Sequence, residues 1–115
     1  MAKRRKRRPK QPTPPVDYAD AEGNVLTLRQ SLSPGSAAKI REGPATAATS
    51  AEDAARRREE MLFERLVVRW EVAGLPLDDQ KLLLGRYRMA SSEEREWVRR
   101  TISAHVTRHL PELGT

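Results

Sequence analysis

The feature that most constrains the fold of this chain is an uninterrupted helical pattern between residues 49 and 73. Thr49 and Glu52 have the spacing of a capping box at its start. Gly74 and Pro76 are typical of a helix end. Apolar residues recur at the spacing of one broad helix face, namely Leu62, Phe63, Leu66, Val67, Trp70 and Ala73. The pattern predicts one long amphipathic helix over residues 49–73.

Two further helices are predicted after this one. The first is capped by Asp78 and runs to about Met89. The second starts at Ser91, which forms another capping-box pair with Glu94, and it ends at Pro111. The apolar residues that these two helices offer to a core are Leu82, Leu83, Tyr87, Trp97, Val98, Ile102, Val106 and Leu110. Short connections predict that the three helices pack as an antiparallel unit.

The segment before the helices predicts a β-hairpin, with residues 16–19 pairing with residues 25–29 across a turn of Asp, Glu, Gly and Asn. An isolated hairpin is marginal in water, so it must lean on the helices, a second subunit or a partner. Ser33 and Pro34 then begin a short helix. The expected fold class is mainly α, with an N-terminal β-hairpin followed by a short helix and a three-helix antiparallel unit. The expected divisions are residues 1–15, 16–30, 31–48 and 49–113.

Positive charge is concentrated at the start of the chain. The first ten residues carry no acid and seven bases, which are Lys3, Arg4, Arg5, Lys6, Arg7, Arg8 and Lys10. Removing these seven from the 22 Lys and Arg leaves 15 bases against 16 acids, a net charge of −1 for the rest. Charge repulsion and the stretch "PKQPTPP" predict that residues 1–15 form a disordered arm on a stiff spacer.

The arm leads to the predicted function. Each base can neutralise a phosphate and release a counterion without any folded groove. We therefore expect a non-enzymatic binding protein whose arm makes sequence-independent contacts to nucleic-acid phosphate, while the helical body binds a partner or itself. Alternatively, the protein is an adaptor or a phage-type assembly factor whose hairpin edge extends a partner's sheet. The basic tail is then incidental, and it serves solubility or reflects GC-rich codon usage. A further alternative is that the tail contacts an anionic membrane or an acidic protein.

No residue pattern supports catalysis. Cysteine is absent, which excludes disulfides, thiolate nucleophiles and Cys-ligated zinc. The pairs Glu59-Glu60 and Glu93-Glu94 are neighbours on helices and do not face each other. There is also no glycine-rich phosphate loop. Because all of these patterns are absent, we expect no enzyme activity and no cofactor.

Three further groups favour structural interpretations. His105 and His109 could share a zinc ion but lack a third ligand other than Glu112, so a role at the helix C-terminus is favoured. The bases of "ARRREE" (Arg56, Arg57 and Arg58) are balanced by nearby acids and predict a solvated helix face rather than a phosphate patch. The aromatic residues in phase with the apolar stripes are expected in the core rather than stacked on bases; they are Trp70, Tyr87 and Trp97.

The expected location is the cytoplasm. The basic start is not followed by the apolar stretch of a secretory signal. No apolar run approaches the roughly 20 residues of a membrane span.

The stretch "LFERLVVRWEVAGLPLDDQKLLLGRYRMASSEEREWVRR" resembles small uncharacterised helical proteins of actinobacteria and their phages, in which a segment like "EGNVLTLR" precedes such helices. The resemblance covers residues 17–113. It implies no activity and no site residues, because the group has no assigned function.

Overall fold

The computed structural model describes residues 14–42 and 50–113 of the chain. In this part it contains a four-stranded antiparallel sheet of order β1-β2-β3-β4 and four α-helices. The elements in chain order are β1 (Val16–Ala19), β2 (Val25–Leu28), α1 (Pro34–Glu42), α2 (Ala51–Leu66), β3 (Val67–Val72), β4 (Leu75–Leu77), α3 (Gln80–Arg88), α4 (Ser92–His109) and a final 3₁₀ turn (Pro111–Leu113). The predicted class, a mainly α fold with a hairpin and a three-helix unit, is wrong, because two strands arise inside the region assigned to helices.

The strands β1 and β2 pair antiparallel around the turn that the sequence indicated. Asp20 organises this turn, since its Oδ1 accepts from the backbone N–H groups of Glu22 at 2.8 Å and Asn24 at 2.9 Å. Gly23 adopts a φ of 86°, which glycine reaches without steric cost. The pair is not an isolated hairpin, because β2 also pairs with β3. The sheet therefore supplies the support that two strands alone would lack.

The predicted helix over residues 49–73 stops at Leu66. Its N-cap is Ser50 rather than Thr49, and the Ser50 side chain accepts from the Asp53 N–H at 3.0 Å. After Leu66 the sequence "VVRWEV" is rich in β-branched and aromatic residues, which fit a pleated strand. The chain therefore changes directly from α2 into β3, and the Arg29 N–H donates to the Leu66 carbonyl at 2.9 Å across that change.

A β-bulge explains why the spacing of β3 imitates a helix. Val67 pairs with Leu28 and Arg69 pairs with Thr27, so β3 has one residue more than β2 at this point. The extra residue allows Val67 and Trp70 both to reach the core, where each is only 2% exposed. Side chains three residues apart share a face in a helix but lie on opposite faces of a regular strand. The bulge therefore produces helical spacing in a strand.

The strands β3 and β4 are joined by a two-residue loop, Ala73-Gly74, at the place predicted to be a helix end. Both loop residues have positive φ, 54° for Ala73 and 79° for Gly74, as the tight turns of hairpins require. The Ala73 N–H donates to the Asn24 side chain at 3.0 Å, which connects this loop to the first turn. Half of the predicted turn "GLPLDD" is therefore β4, and the cap of α3 is Asp79 rather than Asp78.

The remaining helices follow the sequence more closely. Helix α1 starts at Pro34, and the Ser33 hydroxyl accepts from the Ser36 N–H at 3.2 Å. Helix α4 has the predicted capping box of Ser91 and Glu94. Two of the predicted core residues differ: Leu82 is 58% exposed, and Trp97 is only partly buried against the core.

One face of the sheet carries the core. Tyr18, Leu26, Trp70 and Leu77 form a row across the four strands by their pairing. Leu26 is fully buried, and the helices contribute Ile40, Phe63, Leu66, Leu83, Val98, Ile102 and Val106 to the same apolar cluster. The opposite face carries the polar row Asp17, Thr27 and Arg69. The helices therefore pack on one side of the sheet, and the polar row marks the other side.

We expect the Ala73-Gly74 loop to be a measurable source of strain. Left-handed backbone at a non-glycine residue costs about 1 kcal/mol, and asparagine tolerates it better than alanine. Ala73→Asn should therefore raise the free energy of unfolding by about 0.5–1 kcal/mol in urea denaturation. Gly74→Ala should lower it by about 1 kcal/mol. The control is Ala104→Asn on the exposed face of α4, which should be neutral or slightly destabilising. A destabilised Ala73→Asn protein would contradict the assigned loop geometry.

Candidate functional site

The predicted nucleic-acid-binding residues, Lys3, Arg4, Arg5, Lys6, Arg7, Arg8 and Lys10, lie outside the described residues. The structure therefore describes only the body, by which we mean the chain after its first ten residues, and within it residues 14–42 and 50–113. All 15 bases and 16 acids of the body fall within residues 14–42 and 50–113, so the described part has a net charge of −1.

Many charged side chains of the body lie in ion pairs. Arg88 holds Glu60 through two hydrogen bonds of 2.7 and 3.0 Å, which connects α3 with α2. Arg86 pairs with Glu94 at 2.9 Å and also lies over the Trp70 ring, with 5.1 Å from its guanidinium carbon to the ring centroid. Further pairs are Arg69–Glu71, Arg99–Glu59, Arg99–Glu96 and Arg100–Glu96. An anion that used these arginines would have to compete with carboxylates already in contact.

The three bases of "ARRREE" divide into two roles. Arg56 and Arg57 pair with Asp53 at 3.8 and 3.1 Å on a helix face, as the sequence predicts. Arg58 instead turns inward, so the prediction of a solvated role is wrong for it. Its guanidinium donates to the Ile40 carbonyl at 3.1 Å and the Leu113 carbonyl at 2.5 Å. The planar fork of arginine suits this bridge between α1 and the C-terminal 3₁₀ turn.

His105 is a buried connector between α4 and the sheet. It is 1% exposed, and its Nε2 lies 2.6 Å from the Arg29 carbonyl oxygen. A carbonyl only accepts, so Nε2 carries the proton and Nδ1 accepts from the Tyr18 hydroxyl, also at 2.6 Å. Both ring nitrogens are thereby used, which explains why a histidine is tolerated in the core.

His105 and His109 have no third metal ligand beside them in the described part of the chain. Their ring centroids are 4.8 Å apart. Within the described ranges, no three side chains of His, Cys, Asp or Glu are grouped so that they could hold a metal ion. The sequence favoured a role at the helix C-terminus, where positive charge is stabilised, whereas the structure shows His105 as a buried connector to the sheet, and sequence reasoning did not identify Tyr18 as its partner.

A cleft lies between α2, α3 and α4. It consists of two adjoining cavities of about 650 and 560 Å³, both of which Tyr87 lines. The larger cavity has an apolar wall of Leu62, Ile102 and Val106. The smaller one is lined mainly by charged side chains, including Arg95 and Glu60.

Aromatic packing positions Tyr87 in this cleft. Its ring stacks on Phe63 at 4.6 Å between centroids, and Phe63 also meets the edge of Trp70 at 6.1 Å. Burial raises the pKa of Tyr87, and the nearby Glu59 carboxylate raises it further, while Arg99 and Arg95 oppose this. The hydroxyl is therefore neutral at physiological pH and available as a hydrogen-bond donor. The sequence predicted the buried ring but contained no signal for the cleft, which depends on the separation of α2 from α4.

No protein-family model, no curated protein and no solved structure matches this chain. Across residues 14–42 and 50–113, none of the helices combines the length and apolar character that crossing a bilayer requires.

The buried His105 predicts a pH dependence of stability. Burial lowers its pKa in the folded protein below the ordinary value of 6.5; the hydrogen bond to the Arg29 carbonyl opposes the shift, and His109 adds to it. As the pH falls, His105 therefore takes up a proton at a higher pH in the unfolded chain than in the folded protein. The free energy of unfolding should decrease as the pH falls through 6.5 toward the lowered pKa.

His105→Gln keeps a donor for the Arg29 carbonyl but has no proton to gain. We expect this variant to have a lower free energy of unfolding than the wild type at neutral pH. It should lose clearly less of that free energy between neutral and mildly acidic pH, as measured by urea denaturation at several pH values. Carboxylates such as Glu94, whose pKa the Arg86 guanidinium lowers, contribute equally to both proteins at lower pH. Parallel pH profiles for the two proteins would contradict the buried, neutral His105.

Proposed function

We propose that this chain is a non-enzymatic, cytoplasmic binding protein whose N-terminal basic segment contacts nucleic-acid phosphate without reading sequence. The observation that supports the proposal is the separation of charge. Seven bases lie within the first ten residues, and the rest of the chain has a net charge of −1. A protein that gripped phosphates with its folded surface would instead carry a basic face on the body.

The ion pairs of the body strengthen this interpretation. A phosphate bound there would have to displace Glu60 from Arg88 or Glu94 from Arg86, contacts of 2.7 and 2.9 Å. The basic segment has no acid within the first ten residues to compete for its side chains. Its arginines can also bind phosphate oxygens through two parallel hydrogen bonds. The segment is therefore the energetically cheaper site for a polyanion.

The test compares two full-length variants that each lose three positive charges. One carries Arg4→Gln, Arg5→Gln and Arg7→Gln in the basic segment. The matched control carries Arg41→Gln, Arg95→Gln and Arg108→Gln, three exposed arginines of the body. Binding to random-sequence duplex and single strand is measured by fluorescence anisotropy. The segment variant should bind at least tenfold more weakly, and the control should lose much less. Equal losses, or no binding by the wild type at low salt, would overturn the proposal.

The salt dependence of duplex binding provides an independent measure. If all seven bases engage phosphates, the slope of log affinity against log salt should approach about −6. Each neutralised base that contacts a phosphate should reduce the slope by about one. A slope that is the same for the segment variant and the wild type would show that other residues carry the contact.

A second candidate function is self-association, as expected of an assembly factor or adaptor, and α3 provides the observation that favours it. Leu82 is 58% exposed and Met89 is 84% exposed. Leu82 lies in α3 and Met89 is its C-cap residue, seven positions later, so these two side chains present unburied apolar surface on the same side of this segment. Light scattering across a concentration series should show a dimer that Leu82→Gln with Met89→Gln weakens. Monomer at every concentration would argue against this candidate.

A further inference from the structure

The hydroxyl of Tyr87 has no hydrogen-bond partner within residues 14–42 and 50–113. The residue as a whole is 5% exposed. Buried tyrosine hydroxyls normally have a partner, because an unsatisfied donor is costly. By contrast, Tyr18 satisfies its hydroxyl on His105 at 2.6 Å. The lining of both cavities by Tyr87 indicates that its missing partner would come from the cleft.

Arginines outnumber glutamates in the lining of the cleft. Six arginines and three glutamates line its two cavities, and four of those arginines already pair with Asp53, Glu59, Glu60 or Glu96. Arg95 is the most available of these cations, because it makes no ion pair within the described part of the chain. It also lines the smaller cavity together with Tyr87. The polar end of the cleft is therefore suited to an anion that can accept from a phenol hydroxyl.

The other end of the cleft is suited to a hydrocarbon. Leu62, Ile102 and Val106 line the larger cavity, whose volume of about 650 Å³ falls in the usual range of small-molecule sites. Tyr87 stands where the two cavities meet. Leu62, Ile102 and Val106 thus line one cavity, Arg95 lines the other, and Tyr87 lines both.

We propose that this cleft binds an amphiphilic carboxylic acid, with its carboxylate on the Tyr87 hydroxyl and Arg95 and its alkyl or aryl group against Leu62, Ile102 and Val106. The carboxylate accepts a hydrogen bond from the Tyr87 hydroxyl, and the hydrocarbon covers the apolar wall. This ligand is independent of the nucleic-acid contact proposed for the basic segment.

The small exposed area of the apolar residues in the cleft favours a small molecule over a partner helix. Tyr87, Ile102 and Val106 are each 5% exposed, so they offer little apolar surface to a helix. A helix is about 10 Å wide and would need a broad exposed apolar surface. The large apolar side chains that are exposed, Leu75, Leu82 and Met89, do not line either cavity.

The experiment titrates the full-length protein with acetate, hexanoate and octanoate, followed by NMR shifts of the Tyr87 ring and the Ile102 and Val106 methyl groups. Affinity should rise by about fourfold for each added methylene that is buried. Octylamine and octanol have the same tail without the anion, and both should bind much more weakly than octanoate.

Two variants test the polar contacts. Tyr87→Phe keeps the stacked ring and removes the hydroxyl, and it should weaken octanoate binding by about tenfold, as expected for a hydrogen bond to a charged acceptor. Arg95→Gln should weaken it by about threefold, and Arg108→Gln, outside the cleft on the same helix, should leave it unchanged. Thermal denaturation confirms that each variant is folded.

Four results would overturn the proposal. They are no octanoate binding at millimolar concentration, equal affinity of wild type and Tyr87→Phe, octylamine binding as tight as octanoate, and shifts confined to Leu75, Leu82 and Met89. The first would leave the cleft filled by water alone. None of these results bears on the salt-dependent binding of nucleic acid.

Discussion

The pairing of β2 with β3 is the interaction on which the rest of the structure depends. It joins residues 25–28 to residues 67–71 and includes the bulge beside Leu28. Through it, β1 and β4 become edges of one sheet instead of parts of separate hairpins. It also places the fully buried Leu26 next to Trp70, at the centre of the core. Without this long-range contact, each hairpin would be too small to be stable in water.

The same pairing determines where the helices and the cleft lie. Helix α2 enters β3 without a loop, and α3 follows β4 closely, so both helices are held against the strand that carries Trp70. Helix α4 is joined to the sheet by His105, which meets Tyr18 of β1 and the Arg29 carbonyl just after β2. The cleft lies between α2, α3 and α4, and Phe63, which also contacts Trp70, stacks on the Tyr87 ring that lines both of its cavities. Its arginines then follow from the charged helix faces that border it.

The sequence predicted local structure correctly where that structure depends on contacts between residues that are close in the chain. The turn of β1 and β2, the start of α1 and the capping box of Ser91 and Glu94 all depend on side chains that contact their own backbone neighbours. The prediction was wrong where a distant strand decides the outcome. Val67 and Trp70 have helical spacing, and only the bulge opposite Leu28 shows that this spacing belongs to a strand. Arg58 was misjudged for a similar reason, because its acceptors are carbonyls of Ile40 and Leu113, distant in sequence.

The sequence by itself determined the separation of charge, the absence of cysteine chemistry and the capping box of Ser91 and Glu94, because these depend on composition or on neighbouring residues. Only the tertiary structure decided that residues 67–77 contribute strands, that His105 is a buried connector and that the buried Tyr87 lines a cleft between three helices. The physical reason is the range of the interactions. Capping and turn formation are local, whereas strand pairing, burial and cavity formation depend on residues that are brought together only when the chain folds.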